Sequence, residues 1–296
     1  MEISATVVKE LRDKTGLGMM LCKKALMESK GDMTLAMESL RKQGQVTAAK
    51  RASKAAKQGK IAIVSDATDG IVYEVNSETD FVAKNDDFLA FIANLGKALL
   101  AHKPADIAAA RALSSDLFGG ITVEARVLEL VGKIGENISF RRYRKETVAG
   151  AHERIFSYVH GEGRIGVLVK LSCASADAAN SAPVADLGKE MAMQVAAANP
   201  LAVDRDAINK NLASLVEKEK EIYFTQAQTS GKPEKVWPKI VEGKLEKFYK
   251  DSALIDQAYI RDPDRTVSDR IKEAEKAANS AIRVVSFVRF ELGAED

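Results

Sequence analysis

Three histidines, two cysteines and a few glycine motifs are the places where this chain could do covalent or metal chemistry. His102, His152 and His160 contain no His-x-x-x-His pair, and His152-Glu153 meets Phe156 where a zinc protease needs its second histidine. Gly132-Lys133 is followed by Ile134, so it does not end a phosphate-binding loop, and no Gly-x-Ser-x-Gly elbow occurs. Gly161-x-Gly163-x-x-Gly166 copies a dinucleotide fingerprint in form only. That motif needs a helix to begin at its glycines, so that amides can meet a phosphate, and here Val167–Leu171 continues as a strand. No catalytic residue, metal site or cofactor is expected, and the chain does not read as an enzyme. The remaining stretch with chemical character is Thr79-Asp80-Phe81-Val82, where a large aromatic follows a carboxylate in a connection. Its chemistry would be recognition. In one reading Thr79 or Asp80 caps a turn and Phe81 tucks into the core. In the other, a rigid loop presents Phe81 as a wedge for another protein.

The elements that must hold this stretch are legible around it. Ile61–Ser65 and Ile71–Asn76 are short β-rich runs separated by the turn-forming cluster Asp66-Ala-Thr-Asp-Gly70, a hairpin. Phe88, Phe91, Ile92, Leu95 and Leu99 then recur at helical spacing. Asn85 suits the N-cap of that helix, and Asp86 and Asp87 suit the positive end of its dipole. A second hairpin, Arg154–His160 and Ile165–Ser172, turns at Gly161–Gly163. Leu95-Gly-Lys97 after the first hairpin recurs as Leu187-Gly-Lys189 after the second, which points to two α+β subdomains of common design. Aligned on those triplets, the first copy is about four residues longer, in the region of Thr79–Val82.

Residues 1–44 read as three short helices, with Ser4 and Asp32 as caps and Gly16, Gly31 and Gly44 as stops. Val8, Leu11, Leu21, Leu26, Leu35 and Leu40 supply their inward faces. A module of this size has a marginal core and is typically an adaptor. Leu17, Met19 and Met20 cluster at the first connection, where binding and core filling are equally open. Residues 39–65 hold no acid but carry Arg41, Lys42, Lys50, Arg51, Lys54, Lys57 and Lys60. The stretch reads as a solvated helical linker, with nucleic-acid contact as the alternative. Further on come a weak helix over Pro104–Leu113, a helix over Thr122–Val131 and a strand over Ile138–Lys145. Pro183–Asn199 and Asp206–Thr229 read as an antiparallel helical pair with a thin seam and a charged flank. Ala281–Leu292 alternates as a closing strand.

Glu74–Lys84, Glu-Val-Asn-Ser-Glu-Thr-Asp-Phe-Val-Ala-Lys, resembles the signature of the elongation factor Ts family, and Leu11–Met20 resembles a second family stretch. The resemblance implies a guanine-nucleotide exchange factor whose partner is elongation factor Tu, nucleotide-free or GDP-bound. It implies that Thr79, Asp80, Phe81 and Val82 displace magnesium from the partner. It places further contacts on Arg12, Met19, Met20 and Lys23, on Ile134 and Gly135, on His160, and on Ile260. It also implies an α+β multidomain fold. A ubiquitin-associated-like three-helix module with a basic linker would span 1–55. Two related core subdomains with antiparallel sheets would span 56–144 and 145–182 with 231–296. A coiled-coil hairpin at 183–230 would be an insertion used for dimerisation. Some members continue beyond the last strand with a helical module; this sequence runs only to Asp296, so no grip from such a module is expected.

The totals agree with a globular factor. Of 296 residues, 46% are hydrophobic and 29% charged, and the net charge of +2 makes no strong case for nucleic acid. The N-terminus lacks an apolar signal segment, no run reaches membrane-spanning length, and Cys22 and Cys173 stand alone. A cytoplasmic protein is expected, with no membrane association. The alternative function is a nucleic-acid-binding translation accessory using the basic 41–60 segment.

Overall fold

Cap chemistry builds the N-terminal module. In the computed structural model, which describes residues 3–294, Ser4 opens helix α1 (Ala5–Thr15) by accepting from Val7 N, and Gly16 closes it at φ 66°. The other residues, including the end of the tail past Leu292, lie outside the described ones. Helices α2 (Met19–Glu28) and α3 (Met33–Arg51) follow, α3 capped by Asp32 on Leu35 N. Val8, Leu11, Cys22, Ala25, Leu26, Ala36 and Leu40 form the small core. Leu21 and Leu35, expected inward, are exposed. Cys22, Ala25 and Leu26 already fill the narrow stripe that three short helices can cover, and Leu21 lies beside it.

The third helix does not stop at Gly44. It continues to Arg51, so the basic segment is largely its second half, packed with Ala48 buried in the core of the first sheet. Gly44 serves a crossing: a Cβ on Gly132 would lie 3.0 Å from the Gly44 Cα, so the two helices meet backbone to backbone. Arg41 pairs with Glu129, and Arg51 with Glu78, each at 3.3 Å.

Strands β1 (Gln58–Ser65) and β2 (Asp69–Ser77) form the first hairpin. Helices α4 (Asp86–His102), α5 (Ile107–Ala112) and α6 (Val123–Ile134) lead to β3 (Ser139–Thr147), which returns to pair with β2. The second unit repeats the plan: hairpin β4 (Glu153–His160) and β5 (Ile165–Cys173), then the short helix α7 (Ala176–Ala179) and α8 (Ala182–Ala198). After α9 (Arg205–Asn211), α10 (Ala213–Gln228), α11 (Trp237–Ser252) and the two-stranded β6 (Ala258–Tyr259) and β7 (Asp262–Thr266), helix α12 (Val267–Ala278) leads into β8 (Ile282–Glu291). The sheets run β1-β2-β3 and β4-β5-β8, all antiparallel. Both middle strands carry a register shift against the returning strand, at Glu74/Val75 and at Lys170/Leu171.

Alternation sorts each middle strand between two layers. Ile71, Tyr73 and Val75 face α4, whereas Val72 joins Ile61, Leu168 and Phe290 between the sheets. Hence β2 is buried along its whole length. This is an α+β fold of helices and antiparallel sheets. Among the described residues no helix is long and apolar enough to cross a membrane.

Two expectations change. The repeat is real in topology, but the four-residue addition is absent: β2 ends at Ser77 and α4 begins at Asp86, while β5 ends at Cys173 and α8 begins at Ala182. The Leu-Gly-Lys triplets sit about one helical turn out of step. A shift of one turn returns a residue to the same face, so the motif matches while the register does not. The antiparallel helical arm also lies elsewhere. The Pro183–Asn199 segment is α8, whose Val184, Leu187, Met191 and Val195 are buried in the second core cluster. The arm pairs α10 with α11, so it spans both sides of residue 230.

Candidate partner-binding site

The turn after β2 is built from a hydroxyl and two small buried side chains. Thr79 Oγ1 accepts from Val82 N at 3.5 Å and opens a single 3-10 turn over Val82–Lys84. Val82 and Ala83 are buried in the first core cluster, and Asn85 then caps α4 through Asp87 N and Phe88 N. Phe81 is left pointing away, 82% exposed. The tucked-core reading of Phe81 therefore fails, because the inward positions of this turn belong to its two successors. Val82, expected among the contacts, anchors the turn from below, which leaves Asp80 and Phe81 as the exposed members of Thr79–Val82 next to the half-buried Thr79.

A second loop braces the first. Gly135, at φ 82°, ends α6 and sends Glu136 back across the site. Glu136 accepts from Thr79 N at 3.0 Å and from Thr79 Oγ1 at 2.8 Å. Glu78 in turn accepts from Asn137 N at 2.7 Å and from Arg51 at 3.3 Å. Asn137 Nδ2 donates to Lys54 O at 2.7 Å. The half-buried Ile134 and Gly135 thus stand next to the Phe81 turn, and α3 is tied to both.

The other expected contacts fall into three places. His160 is exposed at the end of β4, its Nδ1 3.0 Å from Tyr158 Oη, and its carbonyl accepts from Arg164 N. Arg164 lines a cavity of about 390 Å³ together with Gln58, Glu78, Thr79, Asp80 and Phe81, so this hairpin turn faces the same site. Arg12, Met19, Met20 and Lys23 are exposed on the N-terminal module, Met20 by 76%, so the methionines do not fill its core. Lys133 links that module to the site: a Cβ on Gly16 would lie 2.6 Å from its Nζ, which pairs with Asp87 at 2.7 Å. Ile260 is exposed in the β6–β7 turn, its N–H donating to Gln194 Oε1 at 2.8 Å, and among the described residues no hydrogen bond or ion pair joins it to the Phe81 turn.

No local motif in the sequence marks Glu78, Glu136, Arg51 or Arg164 as site residues. Glu136 and Thr79 are 57 positions apart, and no local spacing announces such a pair. The arrangement offers a rigid aromatic with a free carboxylate beside it. Among the described residues no group of three or more His, Cys, Asp or Glu side chains could hold a metal ion.

Comparison with known proteins gives a consistent result. Residues 78–294 match the family model described as Elongation factor TS. Elongation factor Ts of Chloroherpeton thalassium is 45% identical over 295 residues, covering 99% of both chains. Elongation factor Ts of Chlorobium phaeobacteroides is 44% identical over 296 residues, again 99% of each. Elongation factor Ts of Clostridium botulinum is 42% identical over 293 residues, 98% of this chain and 93% of its own.

Proposed function

The chain belongs to the elongation factor Ts family, translation factors that exchange nucleotide and catalyse no chemical reaction, and on that premise we propose that it releases GDP from elongation factor Tu by pressing the Phe81 turn into the partner's nucleotide and magnesium site. The observation that carries this reading is a phenyl ring 82% exposed on a turn whose neighbours Val82 and Ala83 are buried. An exchange factor must bind the nucleotide-free partner more tightly than the GDP-bound one, and by linkage it weakens GDP by the same factor. A rigid ring does this when the pocket that receives it opens only as the nucleotide site distorts. GTP then binds the emptied partner and displaces the factor. Asp80, exposed beside the ring, is assigned to the partner's magnesium surroundings. Arg12, Met19, Met20 and Lys23 are assigned to docking, with Ile134, Gly135, His160 and Ile260 as flanking contacts. Arg41 and Arg51 are paired with Glu129 and Glu78, so these two of the seven basic residues are engaged within the fold.

The test is GDP release from elongation factor Tu loaded with a fluorescent analogue. Phe81→Ala should melt with the parent protein yet lose roughly thirtyfold in stimulated release, about 2 kcal/mol of differential binding. A variant that melts far earlier but, while folded, releases GDP normally would sink the wedge. The α10–α11 arm, which exposes Ile222 and Phe224, is assigned to self-association. Deleting the arm should halve the sedimenting mass; an unchanged mass would remove that role.

A further inference from the structure

We infer that Glu136 is a positioning residue for exchange: its carboxylate aims the Phe81 turn by clamping Thr79 from the loop that ends α6. The inference rests on the wedge reading of Phe81 and adds the group that holds the wedge in place. Three observations carry it.

First, the clamp is placed on the turn's one polar hinge. Thr79 gives both its backbone N–H and its hydroxyl proton to Glu136, at 3.0 and 2.8 Å, while the same Oγ1 accepts from Val82 N. Two bonds from one residue to one carboxylate fix direction as well as distance, and bonds to a charged acceptor are the stronger kind. Phe81, two residues on, is held through its backbone, its carbonyl accepting from Lys84 N at 3.1 Å while its ring is exposed.

Second, the loops joined are the two assigned to the partner. Glu136 follows Ile134 and Gly135 directly, so its carboxylate ties those contacts to the Phe81 turn. Glu78 accepting from Asn137 N closes the same junction from the other side.

Third, the second unit of the core supplies an internal control. There the equivalent junction, between the end of β5 and the residues after α12, is closed by Ala174 N donating to Ser280 Oγ at 3.1 Å. That suffices for a turn of the same length in the same fold. The carboxylate in the first unit therefore exceeds what the fold requires, and it occurs where the exposed ring must be held against a reaction force.

The experiment is stimulated GDP release by the full chain on elongation factor Tu, with four proteins: the parent, Glu136→Ala, Phe81→Ala and the double variant. Glu136→Ala should slow release at saturating factor about tenfold, the loss expected for freeing a turn held by two hydrogen bonds to a charge. The double variant should be no slower than Phe81→Ala alone, because a clamp with no ring to aim has nothing left to contribute. Glu136→Gln, which keeps an acceptor for Thr79, should recover part of the rate, and Thr79→Val should reproduce part of the loss even if Glu136→Ala folds poorly. Multiplying losses in the double variant would overturn the inference, since Glu136 would then act by its own route. So would normal release by Glu136→Ala beside slow release by Phe81→Ala, a result that leaves the wedge itself standing. Normal release by Phe81→Ala would remove both.

Discussion

The turn after β2 and the turn after β5 share a plan, a short helical turn ahead of a long helix, 3-10 in the first and α in the second, and differ in their outward residue. Each follows a middle strand, precedes a 17-residue helix and holds a hydroxyl that accepts the backbone amide three residues on. Thr79 Oγ1 accepts from Val82 N, and Ser175 Oγ accepts from Ala178 N. Val82 and Ala83 are buried in the first unit, as Ala178 and Ala179 are in the second. The outward position carries Phe81 in one and the exposed Asp177 in the other. Capping and small-residue burial are thus what the fold asks of this turn, and an aromatic is not. An exposed phenyl ring stabilises nothing within the chain, so its presence in one copy is explained by something outside it.

Exchanging the outward residues tests that comparison most severely. Phe81→Asp gives the first turn the side chain that the second already tolerates. Its melting should match the parent, since no buried contact is lost, while stimulated GDP release should fall roughly thirtyfold. Asp177→Phe should add an exposed ring to the second turn and leave release unchanged. A large drop in melting temperature for Phe81→Asp would mean that the first turn depends on its ring and that the two turns are not equivalent.

Local signals in the sequence carried most of the first unit. Asn85 before α4 and Asp32 before α3 each accept the amide that a cap should, whereas Thr122, read as the first residue of its helix, is the cap of α6. Both hairpins were legible from β-rich runs and turn residues. What failed was non-local. Gly44 has the composition of a stop, yet its missing side chain is used by Gly132, which no local pattern reveals. Pro183–Asn199 has the length and boundaries of an arm helix, but Gly188 lets the Phe156 ring lie where a Cβ would be 2.2 Å away, the mark of a helix pressed onto a sheet. The paired Leu-Gly-Lys motifs misled for a related reason. Gly96 admits the Tyr73 hydroxyl, which donates to Ile92 O, so each glycine serves a close approach that happens to recur one turn apart. Phe81 itself was visible, but whether it faced in or out depended on Val82 and Ala83 filling the space beneath.

A smaller difference between the units lies at the start of each middle strand, where β2 has Asp69 and β5 has Ile165. Asp69 is buried, which by itself would push its carboxyl upward. Hydrogen bonds from Lys103 Nζ at 2.5 Å, Thr147 Oγ1 at 2.6 Å and Thr68 Oγ1 at 2.8 Å outweigh burial and hold it at about 2, below the ordinary 3.8. The group ties the C-terminal end of α4 to the ends of β2 and β3, and the apolar Ile165 can do nothing similar in the second unit. A folded value below the unfolded one means that the unfolded chain takes up the proton first as pH falls. The stabilisation is therefore complete above about pH 4 and is lost between about pH 4 and pH 2, amounting to about 1–2 kcal/mol after allowance for the partly exposed Lys103. Denaturant unfolding of the parent and of Asp69→Asn across that range should show the parent losing its advantage as pH falls, until the two curves meet near pH 2. Curves that stay parallel would mean that the Asp69 cluster contributes no proton-linked stability, and that the two units differ there in packing alone.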